Sequence, residues 1–157
     1  MEIKIRYWRR DDLADIRRLW LLFCQNVVRS DMTIRRDADS AMKRWLESRF
    51  LDNDTFGLIA DAGNGVAGFL VARINDWESS PPIINPRSIG IIDAVYVANE
   101  FRQQGISGRL IDRALERMRE ANALAVETIY DITDESSDRM WRRAEFAPWM
   151  VHAYRML

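Results

Sequence analysis

The segment Val95-Tyr96-Val97-Ala98-Asn99-Glu100-Phe101-Arg102-Gln103-Gln104-Gly105-Ile106-Ser107-Gly108-Arg109-Leu110 reads as a strand, a short polar turn and the start of a helix. Upstream, residues 89–97 are apolar or glycine except for Asp93, the signature of a largely buried strand. Downstream, Ile106, Leu110, Ile111, Ala114, Leu115 and Met118 recur at three- and four-residue steps and form the apolar face of a core-packing helix. Gly105 and Gly108 lie between them and let a ligand approach the backbone without meeting a side chain. The unpaired amides of a first helical turn, with the positive end of the helix dipole, suit a diphosphate.

Two nucleotide-binding motifs are excluded by the residues themselves. A P-loop needs lysine and then serine or threonine after its last glycine, whereas Gly108 is followed by Arg109. The dinucleotide fingerprint needs Gly-x-Gly-x-x-Gly, of which Gly105 and Gly108 supply only part. The segment resembles motif A of the GNAT superfamily of N-acetyltransferases, Arg/Gln-x-x-Gly-x-Gly/Ala. Arg102-Gln103-Gln104-Gly105-Ile106-Ser107 fits that motif, with Ser107 as the second small residue. Val95-Tyr96-Val97 and Glu100-Phe101 match the strand end that precedes it, and Asn99 stands where a proline is usual. Further on, Trp141-Arg142-Arg143-Ala144-Glu145-Phe146 resembles the family's Tyr-Glu-Lys-Leu-Gly-Phe segment, and Asp134 stands where relatives often carry asparagine.

The resemblance implies an α/β (α+β) GNAT fold: a mixed central sheet of about six strands flanked by about four helices, in the order β-α-α-β-β-β-α-β-α-β. The chain supplies elements in that order. Glu2–Trp8 alternates as a strand, and Asp11 is placed to cap a helix whose apolar face is Leu13, Ile16, Trp20, Phe23 and Val27. Residues 26–37 form a polar connection, and Ser40 is placed to cap a second helix. Thr55–Ala60 and Val66–Ile74 read as a hairpin around Asn64-Gly65, and Asn75–Ser88 as a loop with three prolines. Leu124–Tyr130, Asp134–Arg143 and Pro148–Tyr154 read as strand, short helix and last strand.

The resemblance also implies acetyl-CoA as acyl donor. Main-chain groups of Val95, Tyr96 and Val97 would hold its pantetheine arm like an added strand. Arg102, Gln103, Gln104, Gly105, Ile106, Ser107 and Gly108 would cradle the diphosphate, with Asp134 and Trp141 completing the cofactor site. The reaction is attack of a primary amine on the thioester. An alkyl ammonium with a pKa of about 10 must first lose a proton. Asp93, the only charge within its strand, is the candidate for handling the amine. The tyrosine that protonates the leaving thiolate in many relatives is replaced by Trp141, which has an N–H but no acidic proton. Tyr130 and Tyr154 are the replacements nearest in sequence, while Tyr96 is read as a packing ring. His152 is read as a packed or surface residue, and Trp77 as a candidate for the acceptor entrance. A non-catalytic acyl-CoA-binding regulatory domain is the alternative that Trp141 suggests.

Composition bounds the rest. The chain has 157 residues, 48% hydrophobic and 30% charged, which suits a single domain over 1–157 with a real core. A net charge of −1 offers no field for nucleic-acid phosphates. The single Cys24 suits a reducing cytoplasm and reads as a small buried residue. The longest apolar run, Leu19–Cys24, is too short to span a membrane, and the start does not read as a signal peptide. The acceptor stays open among a polyamine-like amine, an antibiotic amine, an amino acid and a protein amine, and a homodimer is compatible with the resemblance.

Overall fold

The computed structural model describes residues 2–27 and 31–156; positions 28–30 of the connection after the first helix lie outside the described residues. Among the described residues, five strands form one sheet in the order β1-β2-β3-β4-β5: Lys4–Tyr7, Thr55–Asp61, Val66–Trp77, Arg87–Val97 and Ala125–Thr128. Every neighbouring pair is antiparallel except β4 and β5, which run parallel. The parallel pair needs a crossover, and the helix α3 (Ile106–Glu120) supplies it.

Two cores sandwich the sheet. On one face, α1 (Leu13–Val27) and α2 (Ala38–Phe50) bury Ile16, Leu19, Trp20 and Leu46 against Ile59, Phe69, Val71 and Tyr96. On the other, α3 and α4 (Glu135–Arg143) pack Ile106, Leu110, Ile111, Ala114, Met118 and Trp141 against Leu58, Leu70 and Ile92. The α3 face is the one its three- and four-residue spacing predicts. Among the described residues, no helix is long and apolar enough to cross a membrane.

Four local expectations are revised. The hairpin of β3 and β4 is longer than expected: pairing runs on to Asn75↔Ile89 and Trp77↔Arg87, so the loop shrinks to 78–86. All three prolines of the region fall within that shorter loop, where no ladder donor is needed. A 3-10 turn, Arg10–Asp12, precedes α1, so Asp11 is no cap of that helix; Asp12 closes the turn, accepting the Arg9 amide at 2.6 Å and both terminal amino groups of Arg6 at 2.7 and 2.8 Å. α2 begins at Ala38, ahead of Ser40, whose hydroxyl donates back to the Asp37 carbonyl at 3.1 Å. The strand expected over Pro148–Tyr154 does not form. Residues 147–156 are exposed and form no regular element, and the tail reaches the α1–α2 connection, where Tyr154 Oη donates to Asp31 at 2.7 Å. A strand exists only with a ladder partner, and this path gives the tail none in the sheet.

Candidate active site

The parallel pair β4–β5 opens like a fork. Pairing runs from Ile89↔Ala125 to Ile92↔Thr128, and Thr128 Oγ1 closes it by donating to the Ile92 carbonyl at 3.1 Å. Beyond that point β5 ends while β4 continues to Val97. On its other edge β4 stays bonded to β3, and Ala98 N donates to the Ala67 carbonyl at 2.9 Å. Antiparallel bonding alternates by residue, so Tyr96 turns its N–H and C=O to β3, while Val95 and Val97 turn theirs into the fork. Arg102 Nε takes the Val97 carbonyl at 3.1 Å. The groups of Val95 and the amide of Val97 face no strand of the sheet. This is an unfilled ladder position, the kind that binds an extended chain as an added strand.

Asp93 sits where the fork begins. Register slips there: Val71 pairs with Ala94 but Ala72 pairs with Ile92, which leaves Asp93 as the extra residue of a β-bulge. Below the bulge Ile92 packs toward α3; above it Val95 and Val97 do, so one inserted residue resets which side chains face each core. Asp93 is directed to the α1 face, where Arg73 Nε donates to both its oxygens at 3.1 and 3.2 Å. The one carboxylate in β4 is therefore ion-paired. Arg73 is the site residue that sequence reasoning missed. It is Cα partner to Ile91, two residues from Asp93, a relation that exists only once strand register is known.

Above the fork lies the cradle. A short turn over Asn99–Phe101 leads through Arg102 to Gly105, with Gln103 and Gly105 in the left-handed region at φ 62° and 71°. α3 begins at Ile106, and its first backbone bond runs from Arg109 N to the Gly105 carbonyl at 3.2 Å. The amides of Ile106, Ser107 and Gly108 therefore have no acceptor within the helix. No acidic residue occupies this first turn, and a Cβ placed at Gly105 or Gly108 would meet open space. A cavity of about 370 Å³ lined by Glu2, Ile3, Gln104, Ile106 and Arg109 adjoins the cradle. A larger hollow of about 490 Å³ lies along α1, between Arg17, Leu22 and Asp39, and includes neither the fork nor the cradle.

The other candidates are placed as follows. Tyr130 Oη donates to Asp138 at 2.9 Å; burial and this carboxylate together push its phenol above the usual tyrosine range. Arg142 holds the other oxygen of Asp138 at 2.7 Å. Trp141 is 4% exposed, between the rings of Tyr130 and Phe146 at 6.1 and 5.0 Å, so it is a core residue. Asp134 caps α4, accepting from Ser136 N and the Ser137 hydroxyl; the Ser137 bond above all holds its carboxyl below the usual range. Tyr96 packs its ring against Phe23 with the Arg102 guanidinium over it at 5.5 Å. Tyr154 and His152 lie on the exposed tail. The structure thus brings Asp93, Val95, Val97 and residues 102–108 together along one line and sets Asp134, Trp141 and Tyr154 in capping, packing and tail roles.

Comparisons with known proteins agree with this geometry. The model of the acetyltransferase (GNAT) family matches residues 13–146. An uncharacterized N-acetyltransferase of Archaeoglobus fulgidus is 31% identical over 125 residues, 80% of each chain. A GCN5-related N-acetyltransferase from Ralstonia eutropha superposes with a TM-score of 0.79 over 99% of each chain at 21% identity. An aminoglycoside N-acetyltransferase solved in complex with CoA superposes with a TM-score of 0.76 at 18% identity, over 99% of this chain and 95% of that one. With its forked sheet edge, its amide cradle and a family match across most of its length, the chain belongs to the GNAT acetyltransferase family, whose chemistry is transfer of an acetyl group from acetyl-CoA to an amine.

Proposed function

We propose that acetyl-CoA lies along the fork, its diphosphate on the amides of residues 103–108 and its pantetheine arm on Val95 and Val97. The observation that carries this reading is the pair of β4 residues turned toward a missing strand, directly below free helix-start amides. A chain entering at the cradle and running down β4 brings its far end to the bulge, so the thioester meets Asp93. The Asp93 carboxylate attracts the acceptor's ammonium and orients it, and the proton passes to water before attack. The nitrogen then bonds to the acetyl carbon and gives up its second proton to water, the C–S bond breaks, and CoA leaves as a thiolate. A thiol pKa of about 8.5 makes that anion a tolerable leaving group. Water suffices to protonate it, because the Tyr130 proton is engaged by Asp138 and Tyr154 sits on the exposed tail.

The acceptor we propose is a small-molecule amine, a reading supported by the aminoglycoside-modifying neighbour. We further place the protein in the cytoplasm as one domain over 1–157, with Trp149, Met150 and Val151 on the exposed tail favouring a homodimer that light scattering would detect. Two variants test the site. Gly105→Val forces a β-branched residue into the left-handed region and fills the anion cradle, so thermal stabilisation by CoA should be lost. In the parent protein a hundredfold excess of CoA over its Kd should add about 2.7 kcal/mol. Asp93→Asn should keep CoA affinity and lower turnover, the loss shrinking as pH rises and free amine accumulates. Full CoA stabilisation of Gly105→Val would reject the cradle, and parental kinetics of Asp93→Asn at every pH would make the carboxylate a bystander.

A further inference from the structure

We infer that the acceptor carries a carboxylate close to its reacting amine, as an amino acid does, and that Arg73 binds that carboxylate beside Asp93. The inference rests on the acetyl-transfer site proposed above and names the acceptor's chemical class.

Arg73 is oriented on two sides and open on a third. Its Nε faces both oxygens of Asp93 at 3.1 and 3.2 Å. The Asn75 amide, turned so that both its groups are satisfied, accepts from Arg73 Nη1 at 2.7 Å and donates to the Ile74 carbonyl at 3.1 Å. Nη2 has no partner among the described residues, and the Arg73 side chain stays 27% exposed. A guanidinium fixed by its neighbours, with Nη2 left without a protein acceptor among the described residues, is preorganised to donate to a carboxylate.

The charges on this face match a zwitterion. Alternation along β3 puts Arg73, Asn75 and Trp77 on the side away from α3, with Arg87 covering the Trp77 ring at 4.9 Å. Arg87 Nε is buried without an acceptor among the described residues. Asp93 is the carboxylate in contact with Arg73, Glu127 lies opposite Ile91 on β5, and the exposed Asp76 and Glu78 flank Trp77 at the far end of the strand. A polyamine or an aminoglycoside would bring its further cations against Arg73 and Arg87. An amino acid brings one ammonium and one carboxylate, separated by a single carbon, to an adjacent Asp93 and Arg73. Transfer is otherwise unchanged: the N–C bond forms, the C–S bond breaks, and the ammonium proton goes to water.

The test measures thiol release from acetyl-CoA with amino acids and their matched carboxamides, alongside spermidine and an aminoglycoside. The protein should turn over the carboxylates, and Arg73→Gln should lower the acid-to-amide ratio of kcat/KM by about 10- to 100-fold. Reading the ratio against the parent cancels the differing basicity of the two amines, and the KM for acetyl-CoA should not move. Should Arg73→Gln fold poorly with Asp93 left unpaired, the ratio is read in Arg73→Gln/Asp93→Asn, which removes both charges. An unchanged ratio, a preference for spermidine or the aminoglycoside, or no turnover of any carboxylate-bearing amine would overturn the inference. Absence of CoA stabilisation in the parent protein would instead overturn the acetyl-transfer site beneath it.

Discussion

Asp12 is nearly inaccessible yet ionised, and its partners explain how. Burial works to raise its carboxyl, but the Arg6 side chain and the Arg9 amide outweigh that and hold it below the usual carboxylate range. A carboxyl depressed on folding stabilises the protein above its unfolded pKa, and that contribution disappears as pH falls through the folded value. Asp12→Asn should therefore cost about 1.5–3 kcal/mol near neutrality, with the gap to the parent closing below about pH 4. Urea titrations at a series of pH values measure this, and a gap that persists in acid would remove Asp12 from the account. Cys24 presents the opposite case: burial alone pushes its thiol up. It should react with thiol reagents far more slowly in the folded protein than in denaturant.

At the scale of elements, β2 and the chain after β1 meet at Gly57. A Cβ built there would run into the indole of Trp8, which stacks over the strand and touches Phe50 of α2. Gly57→Ala should displace Trp8 and cost about 1–3 kcal/mol by overpacking, read as a lowered Tm. The helix α4 invites a different measurement, since its Trp141 occupies the position of a familiar acid yet is buried between Tyr130 and Phe146. Trp141→Phe should lower stability through lost volume while leaving kcat close to parental. Loss of kcat with fold and CoA binding intact would give the indole N–H a chemical role.

Over the whole molecule, the sheet ends at β5 and the last ten described residues are largely exposed. Removing residues 147–157 should change the unfolding free energy by less than about 1 kcal/mol, because little apolar area returns to water. A large loss in calorimetry would mean that the tail pairs with something in solution, a second copy being the first candidate.

The sequence by itself determined the elements that local pattern controls: the buried run of β4, the apolar stripe of α3, the glycine-bearing turn between them and the order of the chain. These are legible because strand alternation, helical period and positive φ are properties of neighbours along the chain. The motif residues from Arg102 to Gly108 were found for the same reason. Tertiary structure alone decided three things. It paired Asp93 with Arg73, because register and a one-residue bulge bring together residues on different strands. It turned Val95 and Val97 toward an empty ladder, because β5 stops opposite Ile92. It withheld a sixth strand, because a sequence with strand character over Pro148–Tyr154 becomes a strand only where another backbone offers its hydrogen bonds.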